Sequence, residues 1–170
     1  MPTLQRTAEQ PDSDVRIVNV SSTGHQMAPK GGLALKEART DMQPYNTWTR
    51  YGQSKLANIL FTKELARRYP AIKSMAVHPG GVNSGLSEGF SKAHPWINMM
   101  YRPIVSRVFK TPDEGALTQL YAATNKDAKS GSYYVPIAVE NPGSKNARDP
   151  KLAEELWDWT EKELASRTGS

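Results

Sequence analysis

Apolar positions along the chain fall into short blocks of two different periods. In VRIVNVSS, Val15–Ser22, the β-branched residues Ile17, Val18 and Val20 occupy both faces. A strand apolar on both faces belongs inside a parallel sheet covered by helices. From Tyr51 to Arg68 the spacing becomes helical, with Leu56, Ile59, Leu60 and Leu65 available for burial and Pro70 just past the end. IKSMAVHPGG predicts a second strand over Lys73–Val77, broken by Pro79, Gly80 and Gly81. TPDEGALTQLYAAT predicts a helix with Thr111 as N-cap, Pro112 in the first turn and Glu114 completing a capping box. GSYYVPIAV predicts a third strand. The chain closes on a helix behind Asp149, with Leu152, Leu156, Trp159 and Leu164 as its apolar positions. Trp157 and Trp159 are two apart on that helix and do not share one core face.

Between these blocks the chain is polar or irregular. Residues 1–14 are polar and end in a loop, PDSD, and 23–50 mix polarity with glycine and proline. KAHPWINMMYRPIVSRVF is apolar with internal prolines, which predicts broken helix or a lid. Strand and helix alternate three times, the pattern of a layered α/β fold with a parallel sheet. In such sheets the site lies beyond the carboxyl ends of the strands. Ser21 and Ser22 sit at one such end, and Pro79, Gly80 and Gly81 at the next. Tyr51 and Lys55, in the first turn of the helix, face the same crevice.

Composition narrows the function classes. The 170 residues contain no cysteine, so disulfides and thiolate metal sites are excluded. The 38% hydrophobic fraction is low, yet the apolar residues cluster, as a folded domain requires. No stretch approaches the ~20 apolar residues of a membrane span. The N-terminus lacks the apolar core of a signal peptide, which points to a soluble, cytoplasmic protein. The net charge of +5 comes from scattered residues such as Arg67, Arg68, Lys126, Lys129, Lys145 and Arg148. None interleaves with aromatics in a basic run, so a nucleic-acid partner is not expected. His25, His78 and His94 are widely spaced and form no metal-binding pattern. His25, alone in a loop, reads as solvated; His78 reads as packing or capping the Pro-Gly turn.

The chemistry centres on Tyr51 and Lys55. Residues i and i+4 of a helix share a face with Cβ atoms about 5–6 Å apart. A free phenol titrates near ~10, and bringing one to neutrality takes about 4 kcal/mol of preferential stabilisation of the anion. One cation ~4 Å away at an effective dielectric near 20 supplies a term of that order. The spacing therefore suffices for an acid or base in carbonyl and alcohol chemistry, and a serine at the neighbouring strand end can hold the substrate oxygen. By itself Y-x-x-x-K is a common helical pair, and exposed surface chemistry is its ordinary meaning.

Taken together, RIVNVSSTGH, YGQSKLANILFTKELARR and MAVHPGGVNSGL resemble the short-chain dehydrogenase/reductase family, in wording closest to its retinol-dehydrogenase-like and WW-domain-oxidoreductase-like branch. The resemblance runs from about Arg16 to the C-terminal helix. It implies a partial Rossmann-like, doubly wound sheet made of the family's C-terminal strands and flanking helices. It implies residues 15–84 as the catalytic segment, 85–110 as a substrate lid and 111–170 as the last strand and helices, behind a polar stub, 1–14. Tyr51 would be the general acid/base, Lys55 would stabilise its phenolate and bind the nicotinamide ribose, and Ser22 rather than Ser21 would orient the substrate oxygen. Pro79, Gly80, Gly81 and Val82 would pack the nicotinamide ring, with Ser84 where the family usually has threonine. The implied cofactor is NADP or NAD, with NADP the family's slight preference. The implied substrate is a small, lipophilic alcohol or carbonyl. In many members the helix carrying the tyrosine joins a homodimer, and the nearest branch includes membrane-associated enzymes.

The sequence also departs from the family. No glycine-rich G-x-x-x-G-x-G turn is present to hold the cofactor pyrophosphate on a helix N-terminus. KGGLAL has two glycines, follows no strand and falls between the serine and tyrosine motifs. The Asn-Asn-Ala-Gly segment and the asparagine of the family's proton relay are also absent. The nicotinamide half of the crevice is thus expected without the adenosine and pyrophosphate half, and the strand at 15–20 is expected at a sheet edge. Two readings follow. The chain is part of an NAD(P)-dependent oxidoreductase, or it is a truncated, non-catalytic remnant acting as a protein-interaction module.

Overall fold

A computed structural model describes residues 1–81 and 111–168; Val82, Ser84 and the predicted lid, 85–110, lie outside the described residues. Among the described residues four strands form one sheet in the order β1 (Arg16–Val20), β2 (Lys73–Val77), β3 (Tyr133–Val135) and β4 (Val139–Asn141). The first three are parallel and β4 runs antiparallel to β3. Among the described residues four α-helices accompany them: α1 (Pro2–Ala8), α2 (Thr47–Arg68), α3 (Pro112–Thr124) and α4 (Pro150–Thr168). The fold is α/β, as the alternation predicts, and Rossmann-like, as the resemblance implies.

Side-chain alternation sorts the sheet into two cores. Ala76 and Tyr133 pack with Leu56, Ile59 and Leu60 of α2 and with Leu152, Ala153 and Leu156 of α4. Their neighbours Met75, Val77 and Tyr134 point the other way, onto Ala122 of α3 and Ala128. A strand with apolar residues on both faces thus holds helices on both sides. β1 pairs with β2 along its whole length and has no partner on its other side among the described residues. Its residues are accordingly half-buried to exposed, whereas β2 is buried after Lys73.

The predicted ends hold where the local chemistry is explicit. β2 spans Lys73–Val77, and α3 begins with the full capping box of Thr111 and Glu114. Asp149 Oδ1 accepts from the amides of Lys151 and Leu152, at 2.9 and 3.3 Å, and starts α4.

The polar stretch 1–14 holds a short helix, α1, because Pro2 presets its first turn and good helix formers follow; none of its residues is buried. Three expectations are corrected. α2 starts at Thr47, a turn before Tyr51, because the Asn46 side chain accepts from the Thr49 amide at 2.9 Å. Tyr51 therefore stands in the second turn. GSYYVPIAV makes a hairpin instead of one strand: Pro136 brings no N–H to the ladder and Ala138, at φ +57°, reverses the chain into β4. In α4, Trp157 is buried in place of Trp159, which is half-buried, and Leu164 is 58% exposed. Trp157 continues the stripe of Leu152, Ala153 and Leu156, stacking on Phe61 at 4.9 Å beneath the Arg68 guanidinium. Trp159 lies two residues further round the helix. No helix among the described residues is long and apolar enough to cross a membrane.

Candidate active site at the carboxyl end of β1

Beyond Val20 the chain makes one more ladder bond, Ser21 N–H to Val77 O at 2.7 Å, and then turns. Ser22 caps a short 3₁₀ turn, Thr23–Met27, its Oγ accepting from the Gly24 amide at 3.0 Å. The turn is pressed onto α2. A Cβ on Gly52 would lie 2.6 Å from Ala28 N and Met27 C and 2.8 Å from Gly24 O. Only glycine permits that approach, and it brings the Tyr51 ring against Gly24: a Cβ on Gly24 would stand 2.7 Å from Tyr51 Cε1.

Tyr51, Lys55 and Ser22 are thus brought to one strand tip. The Lys55 ammonium lies 5.6 Å from the Tyr51 ring centroid and donates to Val20 O at 3.3 Å. Asn58, one turn further along α2, donates to the same carbonyl at 2.9 Å. That carbonyl points away from β2, at the open edge of the sheet, so α2 side chains satisfy what no strand satisfies.

The two serines are separated by what their hydroxyls do. Ser21 is buried and its hydroxyl donates to the Lys55 backbone carbonyl at 2.7 Å. The Ser22 oxygen accepts from Gly24, and its own proton has no protein acceptor among the described residues. An uncommitted O–H at a strand tip is available to a ligand oxygen.

Pro79, Gly80 and Gly81 lie at the adjoining tip, after β2, with Gly80 at φ +89° and Gly81 exposed. Thr23 Oγ1 and His78 Nε2, 3.4 Å apart, join the two tips. Burial, and secondarily the nearby His25, push the His78 imidazole below its ordinary value. Lys55 has three N–H groups and one protein acceptor among the described residues. The tips together therefore offer unassigned donors beside a bend at Gly80–Gly81 that carries no side chain, which fits the ribose and carboxamide of a nicotinamide.

Three residues at the site were misread or passed over in the sequence. His25 is 2% exposed, not solvated, because the 3₁₀ turn folds it inward beneath Ser22. Asn58 had a legible signal: Tyr51, Lys55, Asn58 and Thr62 form a polar stripe at helical spacing, and Thr62 receives the Asn19 amide of β1 at 2.8 Å. Tyr133 left no such signal. Its buried hydroxyl has no hydrogen-bond partner among the described residues, and burial, with a smaller contribution from the neighbouring Tyr51, pushes it up to about 12. Tyr133 therefore stays a phenol while Tyr51 stands half-exposed at the tip.

No family model matches the chain. Among curated proteins it is 37% identical over 166 residues to the short-chain dehydrogenase/reductase drtF of Aspergillus calidoustus, covering 90% of this chain and 51% of that protein. It is 38% identical over 154 residues to retinol dehydrogenase 14 of Mus musculus, covering 86% and 43% respectively. Among solved structures it resembles an uncharacterized protein from Mycobacterium paratuberculosis, with a TM-score of 0.61 and 29% identity over 88% of this chain and 50% of that one. The chain spans about half the length of the curated relatives it matches. The relatives that match, 37 and 38% identical over about nine-tenths of this chain, are short-chain dehydrogenase/reductases.

Proposed function

We propose that this chain carries the acid/base machinery of an NAD(P)-dependent oxidoreductase that interconverts an alcohol and a carbonyl on a small, lipophilic substrate. The observation that carries the reading is the division of labour between neighbouring serines. Ser21 is tied to Lys55, and Ser22 keeps its proton available at the tip shared with Tyr51 and Lys55. The relatives named as dehydrogenases support the reaction class, and the retinol dehydrogenase among them supports a lipophilic substrate.

In the reducing direction the Ser22 hydroxyl donates to the substrate carbonyl oxygen and orients it. Tyr51 Oη passes its proton to that oxygen as charge develops there, and in the oxidising direction takes it back. The Lys55 cation would stabilise the phenolate, and its remaining N–H groups would hold the ribose hydroxyls. Pro79, Gly80 and Gly81 would pack the nicotinamide. When bound, the nicotinamide supplies or accepts the hydride.

Fluorescence of reduced nicotinamide dinucleotide, titrated with the purified chain, tests the proposal. Saturable micromolar binding supports the enzyme reading for this chain, and Lys55→Ala, which loses a charge-assisted contact, then weakens it about tenfold or more. Tyr51→Phe is expected to keep binding and abolish turnover; retained turnover removes Tyr51 from its role. A chain that is folded by circular dichroism yet binds no nucleotide favours the interaction-module reading, in which the unpaired edge of β1, with Val20 44% exposed, meets a partner.

A further inference from the structure

We propose that His25 is a positioning residue for Ser22, a single-tautomer imidazole that braces the turn bearing the substrate-orienting hydroxyl against the turn at Gly143–Ser144. The inference rests on the acid/base reading of Ser22 given above.

Both ring nitrogens are engaged, and with opposite polarity. Nδ1 lies 2.8 Å from the Ser22 carbonyl oxygen, which only accepts. The Ser144 amide, which only donates, points at Nε2 from 3.0 Å. The partners therefore assign the proton to Nδ1 and leave the Nε2 lone pair bare. With 2% exposure, no water competes for either contact, and the other tautomer would set two N–H groups face to face and leave the Ser22 carbonyl opposite a lone pair.

The far side of the brace is built for close approach. Gly143 takes φ +72°, and a Cβ there would stand 2.9 Å from Ala147 Cβ and 3.6 Å from His25 Nε2. Its amide is held by Asn141 Oδ1 at 2.8 Å, and Ser144 Oγ accepts from the Ala147 amide at 3.2 Å, so the turn is tied on both flanks of the amide that meets the histidine. Ala147 is fully buried. The Tyr133 ring meets the imidazole edge-on, centroids 5.5 Å apart at 81°, and limits its rotation.

The near side reaches the proposed chemistry in two steps. The Ser22 carbonyl accepts from His25 twice, from its backbone amide at 3.0 Å and from Nδ1. This pins the peptide plane between Ser22 and Thr23. The next amide, Gly24 N–H, is the one that engages Ser22 Oγ and turns the hydroxyl proton outward. Gly24 also carries the Tyr51 ring. His25 touches neither substrate nor Tyr51 in this scheme; it acts by holding Ser22.

Amide hydrogen exchange and ring ¹⁵N resonances of the chain test the brace without any turnover. The wild type should show the Nδ1–H tautomer and protected amides at Gly24 and Ser144. His25→Phe should speed Gly24 exchange about five- to tenfold or more, with amides in the middle of α2 unchanged. His25→Asn keeps a donor towards the Ser22 carbonyl but cannot reach Ser144, so it should restore Gly24 protection and not that of Ser144. An Nε2–H tautomer, or Gly24 exchange unchanged in His25→Phe, overturns the proposal. In an active chain, His25→Phe should lower kcat about as far as Ser22→Ala, and the double variant no further; additive losses also overturn it. A chain that binds no nucleotide leaves the exchange result standing, so failure of the enzyme reading and failure of the brace are told apart.

Discussion

The Ser21 hydroxyl donates to the backbone carbonyl of Lys55 at 2.7 Å, across the gap between the end of β1 and α2. The bond locks the helix turn carrying the ammonium to the strand tip, and it leaves the adjacent serine alone with an uncommitted proton. Different rate effects follow for the two alanine variants. Ser21→Ala should lower stability by about 1 kcal/mol, the net worth of one buried hydrogen bond, with a small effect on rate. Ser22→Ala also loses the cap on the 3₁₀ turn, at about 0.5–1 kcal/mol, but should slow turnover about 10²–10³-fold, as loss of a donor to a developing oxyanion does. Paired urea denaturation and rate measurements check this, and a larger rate loss in Ser21→Ala would exchange the two roles.

Arg16 fastens the opposite face of the sheet. Its guanidinium, with only 6% of the side chain exposed, donates to Ala122 O at 3.0 Å and Asn125 O at 2.8 Å at the end of α3, and pairs with Asp14 at 2.6 Å. One planar fork thus serves two helix-end carbonyls and a carboxylate. A lysine ammonium is a point donor and cannot span all three. Arg16→Lys should therefore destabilise the fold by about 2–3 kcal/mol, read as a shift of the urea midpoint with unchanged slope. A variant as stable as the wild type would show that the carbonyls find other donors.

Acid should unfold the chain in two stages. The Arg67 and Arg68 guanidiniums, donating to the buried Glu64 carboxylate, hold it below its ordinary value of 4.5. The unfolded chain takes up that proton first, so this stabilisation is complete above pH 4.5 and is lost as pH falls through the lower folded value. His78 acts earlier with the same sign. Burial holds it below 6.5 in the folded chain, so stability begins to fall as pH drops past 6.5 towards that lower value. Denaturation midpoints measured from pH 7 to 3 should show both limbs. Glu64→Gln should remove the lower limb and cost about 1–2 kcal/mol at pH 7, while His78→Asn should remove the upper. A lower limb that survives Glu64→Gln would assign it to another carboxylate.

Much of the architecture was legible because it rests on local rules. Lys73–Val77 reads as a short strand because Met75, Ala76 and Val77 form an apolar run and proline with two glycines ends it. Thr111, Pro112 and Glu114 announce a helix start through contacts made within three residues. The start of α2 had an equally local signal, the Asn46 cap, obscured because the interesting residues lay a turn later. The hairpin was harder: YYVPIAV carries strand-forming residues on both sides of Pro136, and the reversal depends on Ala138 adopting a left-handed conformation that alanine does not advertise.

Sequence spacing alone determined that Tyr51 and Lys55 share a helix face, since four residues make about one turn whatever surrounds them. It also determined a parallel sheet covered on both sides, since strands apolar on both faces have no other home. Which serine keeps its proton, whether His25 meets water or two backbone groups, and which tryptophan is buried were decided only by tertiary structure. Each depends on partners far along the chain, Lys55 for Ser21, Ser144 for His25 and Phe61 for Trp157. Hydrogen bonding and burial are properties of where a group ends up, and residue type alone does not encode that place.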